Sequence, residues 1–368
     1  MGPALPTLTQ HSHVSLEQGG YLFTSMSMGY LLSAPIITWL RARISTRVML
    51  FGSPWLVIVG MALLALGRSF TVQLCGALLL GLGQSGTQVG YNVLFGSGPK
   101  SSGVLNRLNA FFGLGALIGP LMASWGYAWL GEATPAFVAA ILLAAPLPIG
   151  AFLWKGHGLI APTSVESTLH DHASTNLVSP WTMPVFWLML GIVGLYVGIE
   201  ISFSGWVTEF SRNHAQVNLA SAALSTSAFF IGVALSRYVL ESMTHTQTGA
   251  HRINPLTYVA WLLGLGTLAM SLMLVFNALW VMLVCAFVVG FALGPIYPTL
   301  IATGIQLFPR HATLIASGIT SAGSIGAIAL PPFVGAFLTT SPVNAWTLLI
   351  VIMLLGLISW GVLRVAAR

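Results

Sequence analysis

Hydrophobic residues along this chain run in long blocks, and polar residues collect in the short gaps between them instead of alternating with them. Ending each block at charges, Pro-Gly clusters and polar runs yields eleven apolar stretches: 18–40, 48–67, 72–96, 108–129, 135–154, 184–208, 217–240, 255–275, 279–303, 312–339 and 344–363. A hydrocarbon core of about 30 Å takes about 20 mostly apolar helical residues to cross, so each block is long enough to span a bilayer. Backbone amides in lipid must be satisfied within their own segment. The blocks also lack the alternation of outer-membrane barrel strands, so helices are predicted. The expected fold class is an all-α polytopic membrane protein.

Composition sharpens this reading. Asp, Glu, Lys and Arg make up 5% of 368 residues and the mean hydropathy is +0.88, values incompatible with a soluble fold of this size. The net charge of +6 forms no basic patch with interleaved aromatics, which argues against a nucleic-acid partner. Its placement reports topology instead. With residues 1–17 outside, the inner side holds eleven basic residues, among them Arg41, Arg43, Arg47, Lys100 and Lys155, whereas the outer side holds only Arg68 and Arg212. The positive-inside rule therefore predicts an outer N-terminus and a cytoplasmic C-terminus in the cytoplasmic membrane. The first block lacks a basic n-region, so a retained helix is expected instead of a cleaved signal peptide.

One long polar interruption, 155–183, separates five blocks from six. It suggests an N-terminal bundle over 1–154, a cytoplasmic central loop over 155–183 and a C-terminal bundle over 184–368. The halves are faintly self-similar: Gly29 aligns with Gly232, Gly81 with Gly290 and Pro120 with Pro331, at offsets of 203, 209 and 211 residues. Such a duplication would place a solute site between the repeats, near the bilayer midplane.

Few residues can carry chemistry. Glu200 is the one acid set well within a span, about eight residues or roughly 12 Å from its outer end. Arg237 is expected at an inner helix end near the opposite face, which leaves Glu200 without a basic partner at its depth. It must then be neutral, or meet water, an ion or a solute. One reading makes it a proton or sodium site beside Gly198, Ser202 and Gly205; the other makes it a protonated acid bonded to a neighbouring helix. Gln88 and Asn92, four residues apart, share a helix face and could hydrogen-bond a solute or glue helices together. Trp206 and Tyr297 could stack on a sugar ring, although Trp206 also fits an interfacial aromatic belt. Tyr297 lies in GPIYPT, where Pro295 and Pro298 break the helical ladder. Asn106 and Asn109 read as caps or gate bonds.

The remaining signals exclude more than they suggest. Cys75 and Cys285 fall inside apolar spans, where small buried thiols are ordinary. The pairs His11/His13 and His170/His172 read as solvated loop residues. The GQSG at 83–86 matches the GxSG of membrane serine proteases, but no histidine lies inside a span to activate Ser85, so no enzyme is expected. Nothing resembles an ATP-binding loop, and no cofactor is implied.

Four segments carry a resemblance: YVGIEISFSGW (196–206), LNRLNAFFGLGALIGP (105–120), GFALGPIYPT (290–299) and ASGITSAGSIGAIALPPFVGAF (316–337). On these the chain resembles the major facilitator superfamily, and within it the sugar-transporter branch of fucose permease and sodium-dependent glucose transporters. The resemblance implies two pseudo-symmetric bundles and alternating access by a monomer. It also implies a small polar solute, a sugar, coupled to protons or sodium through Glu200. Gln88, Asn92, Trp206 and Tyr297 would face the cargo, and Arg43, Asn109 and Arg237 would serve gating. The family has twelve spans and this sequence eleven, and GPALPT at 2–7 resembles the loop after the family's first helix. Three positions depart from the pattern. The stretch from Thr38 to Thr46 keeps Arg43 but lacks the family motif's Asp and glycines, Gln88 replaces an acid, and Asn109 replaces a histidine. A drug or metabolite exporter, or a truncated relic or sensor, are the alternatives within this resemblance.

Overall fold

The computed structural model describes residues 1–41, 46–96, 101–153, 180–246, 255–308 and 311–366, and every regular element among them is helical. The helices are α1 (Leu5–Ser12), α2 (Leu16–Arg41), α3 (Thr46–Leu66), α4 (Phe70–Gly96), α5 (Ser101–Leu130), α6 (Thr134–Ala144) and α7 (Pro146–Leu153) in the first half. The second half holds α8 (Pro184–Ala215), α9 (Leu219–Thr246), α10 (Pro255–Val275), α11 (Leu279–Leu293), α12 (Ile296–Leu307), α13 (Ala312–Thr340) and α14 (Pro342–Ala366). Eight helical stretches among the described residues are long and apolar enough to cross a membrane; α6 with α7, and α11 with α12, each make one of them. The helices α2, α4 and α5 run for 26, 27 and 30 residues and coincide with the remaining three of the eleven expected spans. Most of the expected central loop lies outside the described residues.

Local chemistry sets the helix starts. Ser15 and Gln18 form a reciprocal capping box at α2: the Ser15 N–H donates to Gln18 Oε1 at 3.1 Å and the Gln18 N–H to Ser15 Oγ at 3.3 Å. The Asn218 side chain accepts from the Ser221 N–H at 2.8 Å and caps α9. Proline, whose missing N–H costs nothing in a first turn, opens α8, α10 and α14. Several helices outrun the apolar blocks that announced them. Blocks 184–208 and 217–240 become Pro184–Ala215 and Leu219–Thr246, because polar residues at a helix end do not stop backbone hydrogen bonding.

The two halves repeat one packing scheme. α4 packs against α2 and α3, and α11 packs against α9 and α10. The aligned glycines are the two partners of a single helix crossing, made once in each half. A Cβ on Gly29 would sit 2.1 Å from the Leu78 carbonyl oxygen, and one on Gly81 1.9 Å from that of Met26. In the second half the corresponding distances are 2.1 Å for Gly232 to Phe287 and 2.0 Å for Gly290 to Phe229. Backbones this close admit no side chain, which is why small residues mark membrane helix crossings.

The halves meet along α2 with α13 and α5 with α9. There the Thr24 hydroxyl donates to the Ile328 carbonyl at 2.8 Å, and Ser124 donates to the Ala220 carbonyl at 2.6 Å. Pro332, four residues past Ile328, has no N–H to offer that carbonyl, so a partner from the other half takes it. The N-terminal segment packs over the same end: the Thr7 hydroxyl donates to Tyr127 at 3.0 Å, Tyr127 donates to the Pro3 carbonyl at 2.9 Å, and His11 meets Glu132 at 3.2 Å. Inside the second half an aromatic core forms, in which Phe210 stacks on Trp346 with centroids 3.8 Å apart.

Candidate functional site

α8 and α9 form an antiparallel pair joined by a short turn after Ala215. Glu200 precedes that turn by 15 residues and Arg237 follows it by 18, so at 1.5 Å per residue both lie about 25 Å from the turn. They meet. Arg237 Nη2 stands 3.8 Å from Glu200 Oε1, with the Glu200 side chain 18% exposed and that of Arg237 41%. This corrects the expectation that Glu200 has no basic partner at its depth. The apolar block ended near residue 240, which put Arg237 at a helix end, whereas α9 continues to Thr246 and carries Arg237 into the span.

A second contact holds the guanidinium in place. Arg237 Nε donates to the Gly294 carbonyl at 3.2 Å, at the break between α11 and α12. Pro298 lies four residues beyond Gly294 and lacks the N–H that would close the helical bond, so the carbonyl is free for Arg237. The proline motif read as a helix break therefore also builds a socket for the cation. Tyr196, one turn before Glu200 on α8, is buried beside the ion pair, with its hydroxyl near both charged groups but in good hydrogen-bond geometry with neither.

Polar groups from both halves lie on the same side of the fold as the pair. Tyr297 on α12 reaches Thr320 on α13, with the two hydroxyl oxygens 3.0 Å apart. Thr320 commits its proton to the Ala316 carbonyl at 2.9 Å, so Tyr297 is the donor. In the first half the Tyr30 hydroxyl donates to Gln88 Oε1, which leaves the Gln88 amide nitrogen as a donor. Tyr297 lies near both Tyr30 of the first half and Arg237 of the second. Gln88 and Thr320 are exposed, while Tyr30, Glu200 and Tyr297 are half-buried. Polar side chains left exposed midway along apolar helices suit a water-accessible cleft better than lipid.

The structure gathers Gln88, Glu200, Arg237 and Tyr297 and leaves Trp206 apart. Trp206 is fully buried and its indole N–H donates to the Pro331 carbonyl at 3.0 Å. Its ring packs at 6.0 Å from Phe23 of α2, so it joins α8, α13 and the opposite half. This corrects its reading as a ligand-stacking or belt residue: an indole so placed shows neither a face nor a donor to a solute. Arg43 lies outside the described residues, and so do the side chains of Asn92 and Asn109, whose backbones belong to α4 and α5. Ser85 bonds the Ser33 hydroxyl and serves packing. No group of three or more metal-ligating side chains occurs among the described residues.

Sequence reasoning missed Tyr30, Tyr196 and Thr320. The repeat offered a signal for two of them. Tyr30 follows the crossing glycine Gly29, and Thr320 precedes Pro331 by the same eleven residues that separate Asn109 from Pro120. Gln88 and Tyr297 share the 209-residue offset of Gly81 and Gly290, so they occupy equivalent places in the two halves.

Comparison with known proteins agrees with this architecture. The chain is similar to "Protein TsgA homolog" from three strains of Buchnera aphidicola subsp. Acyrthosiphon pisum, each 22% identical over 250 residues. That match spans 64% of this chain and 60% of those relatives. A bacterial homolog of the human lysosomal transporter Spinster, solved in an inward-facing and occupied conformation, superposes with a TM-score of 0.69 at 15% identity. The superposition covers 100% of this chain and 94% of that one. The sequence signature of the Major Facilitator Superfamily matches residues 1–270. With the duplicated helix crossings and the broken helix at the shared cleft, that match makes this integral membrane chain a member of the major facilitator superfamily.

Proposed function

We propose that the protein is a secondary active transporter that moves a small polar, hydroxyl-bearing solute across the cytoplasmic membrane by alternating access. The observation that carries this reading is the Glu200–Arg237 pair, held at a helix break with Tyr297 near it and the Tyr30–Gln88 bond contributed by the other half. A carboxylate in a wet cleft within the membrane is poised to take up a coupling proton or sodium ion. The halves rock about the site, and the contacts of Thr24 and Trp206 belong to the end that is closed in this conformation. With the N-terminus outside and the C-terminus in the cytoplasm, that closed end is the outer one and the cleft faces inward. The solute class follows the resemblance to the sugar branch and the match of hydroxyl-seeking amide and phenol groups to a polyol.

Uptake of labelled sugars and polyols into proteoliposomes, under imposed proton and sodium gradients, tests the proposal. Gradient-driven accumulation by the wild type is expected, and Glu200→Gln should equilibrate the solute without concentrating it. Unchanged accumulation in Glu200→Gln would remove this carboxylate from the coupling. Gradient-driven extrusion without uptake would identify an exporter instead.

A further inference from the structure

We infer that the solute carries a carboxylate, and that Arg237 is the residue that binds it; the inference rests on the transport reading of the cleft and specifies its cargo. The argument begins with the guanidinium's engagements. One edge is fixed through Nε to the Gly294 carbonyl, and the other lies beside the buried Tyr196 hydroxyl and meets Glu200 by one contact of 3.8 Å, longer than a charge-assisted hydrogen bond of about 2.8 Å. The side chain is nevertheless 41% exposed. An arginine whose role was only to neutralise Glu200 would close on it bidentately, the geometry in which this pair is strongest. Here the forked donor edge is held open toward the cleft.

The neighbouring groups point the same way. The protons of Tyr30 and Tyr297 are already committed, to Gln88 Oε1 and Thr320 Oγ1. Besides the fully buried Tyr196 hydroxyl, the donors left to a solute among these groups are the Gln88 amide and the Arg237 guanidinium, contributed by opposite halves. A carboxylate, which accepts through two oxygens and donates nothing, suits the fork of the guanidinium. Phenolic oxygens and Glu200 remain as acceptors for the solute's hydroxyls. When the solute binds, its carboxylate replaces Glu200 as the counterion of Arg237, and Glu200 is released to the coupling cation. The expected cargo is therefore a small polyhydroxy acid of the sugar-acid class.

The test compares D-gluconate with D-glucitol, which differ only in a carboxylate replacing a terminal CH2OH, by equilibrium binding to the purified full chain. Gluconate is expected to bind the wild type at least tenfold more tightly. Arg237→Gln should erase the preference and Arg237→Lys should retain part of it. Glu200→Gln should tighten gluconate several-fold, because the competing internal carboxylate is gone, and this opposite sign separates ligand binding from a structural role. Equal binding of the two probes by the wild type would overturn the carboxylate assignment and leave the polyol cleft standing. A gluconate preference that survived Arg237→Gln would overturn the role of Arg237. Binding of neither probe would defeat the polyol reading of the cleft, and the carboxylate assignment with it.

Discussion

Arg237 donates to the carbonyl of Gly294 because Pro298 cannot, and this relation ties the cation of the cleft to the break in the helix behind it. Replacing Pro298 by alanine restores the missing N–H and lets the α11–α12 ladder close on Gly294. The variant should be more stable by about 1 kcal/mol, the usual net value of a hydrogen bond. It should also loosen Arg237 and weaken solute binding. Thermal unfolding and equilibrium binding on the same preparation check both halves of this expectation.

Glu200 and Arg237 are coupled through a partly exposed contact, so solvent screens part of their attraction. A double-mutant cycle with Glu200→Gln and Arg237→Gln should give a coupling energy of about 1 kcal/mol in unfolding experiments. Additivity within a few tenths of a kcal/mol would show that the two charges stand near each other without stabilising the fold.

Trp206 is placed as a strut, not as a ligand. Trp206→Phe keeps the ring against Phe23 and loses only the donation to Pro331, which should cost about 1 kcal/mol and leave solute affinity unchanged. Trp206→Ala empties the site and should cost about 3 to 5 kcal/mol. A phenylalanine variant of normal melting temperature that no longer bound solute would return Trp206 to the binding site.

Thr24 reaches across the interface to the Ile328 carbonyl, and Thr24→Val preserves its shape while removing the donor. Membrane hydrogen bonds of this kind average about 0.6 kcal/mol, enough to shift a two-state distribution roughly threefold. Distances between spin labels on the closed ends of α2 and α13 should show the open population rising by that factor in the variant.

The paired glycine crossings make a position-specific expectation. Gly81→Ala and Gly290→Ala each drive a methyl into a carbonyl of the facing helix, and each should cost about 1 to 3 kcal/mol through forced separation. Gly264→Ala on α10 meets nothing within 4 Å and should be neutral or stabilise by up to about 1 kcal/mol. Similar losses at all three positions would deny the crossings their special closeness.

The apolar blocks alone determined that this chain is a set of membrane-spanning helices, because a bilayer imposes one length and one backbone solution on any segment that crosses it. The spacing of Gly29, Gly81, Gly232 and Gly290 already held the duplication, since backbones can approach closely only where no Cβ intervenes. Tertiary structure decided the partners. Nothing in a hydropathy block says that α9 continues past residue 240, and so the depth of Arg237 and its meeting with Glu200 stayed hidden until the two helices lay side by side. The same limit applied to Trp206 and Tyr297, two aromatics both offered as stacking partners for a solute. Packing alone spent the indole of Trp206 on Pro331 and left the ring of Tyr297 at the cleft, because which face a helix turns inward depends on every neighbour it packs against.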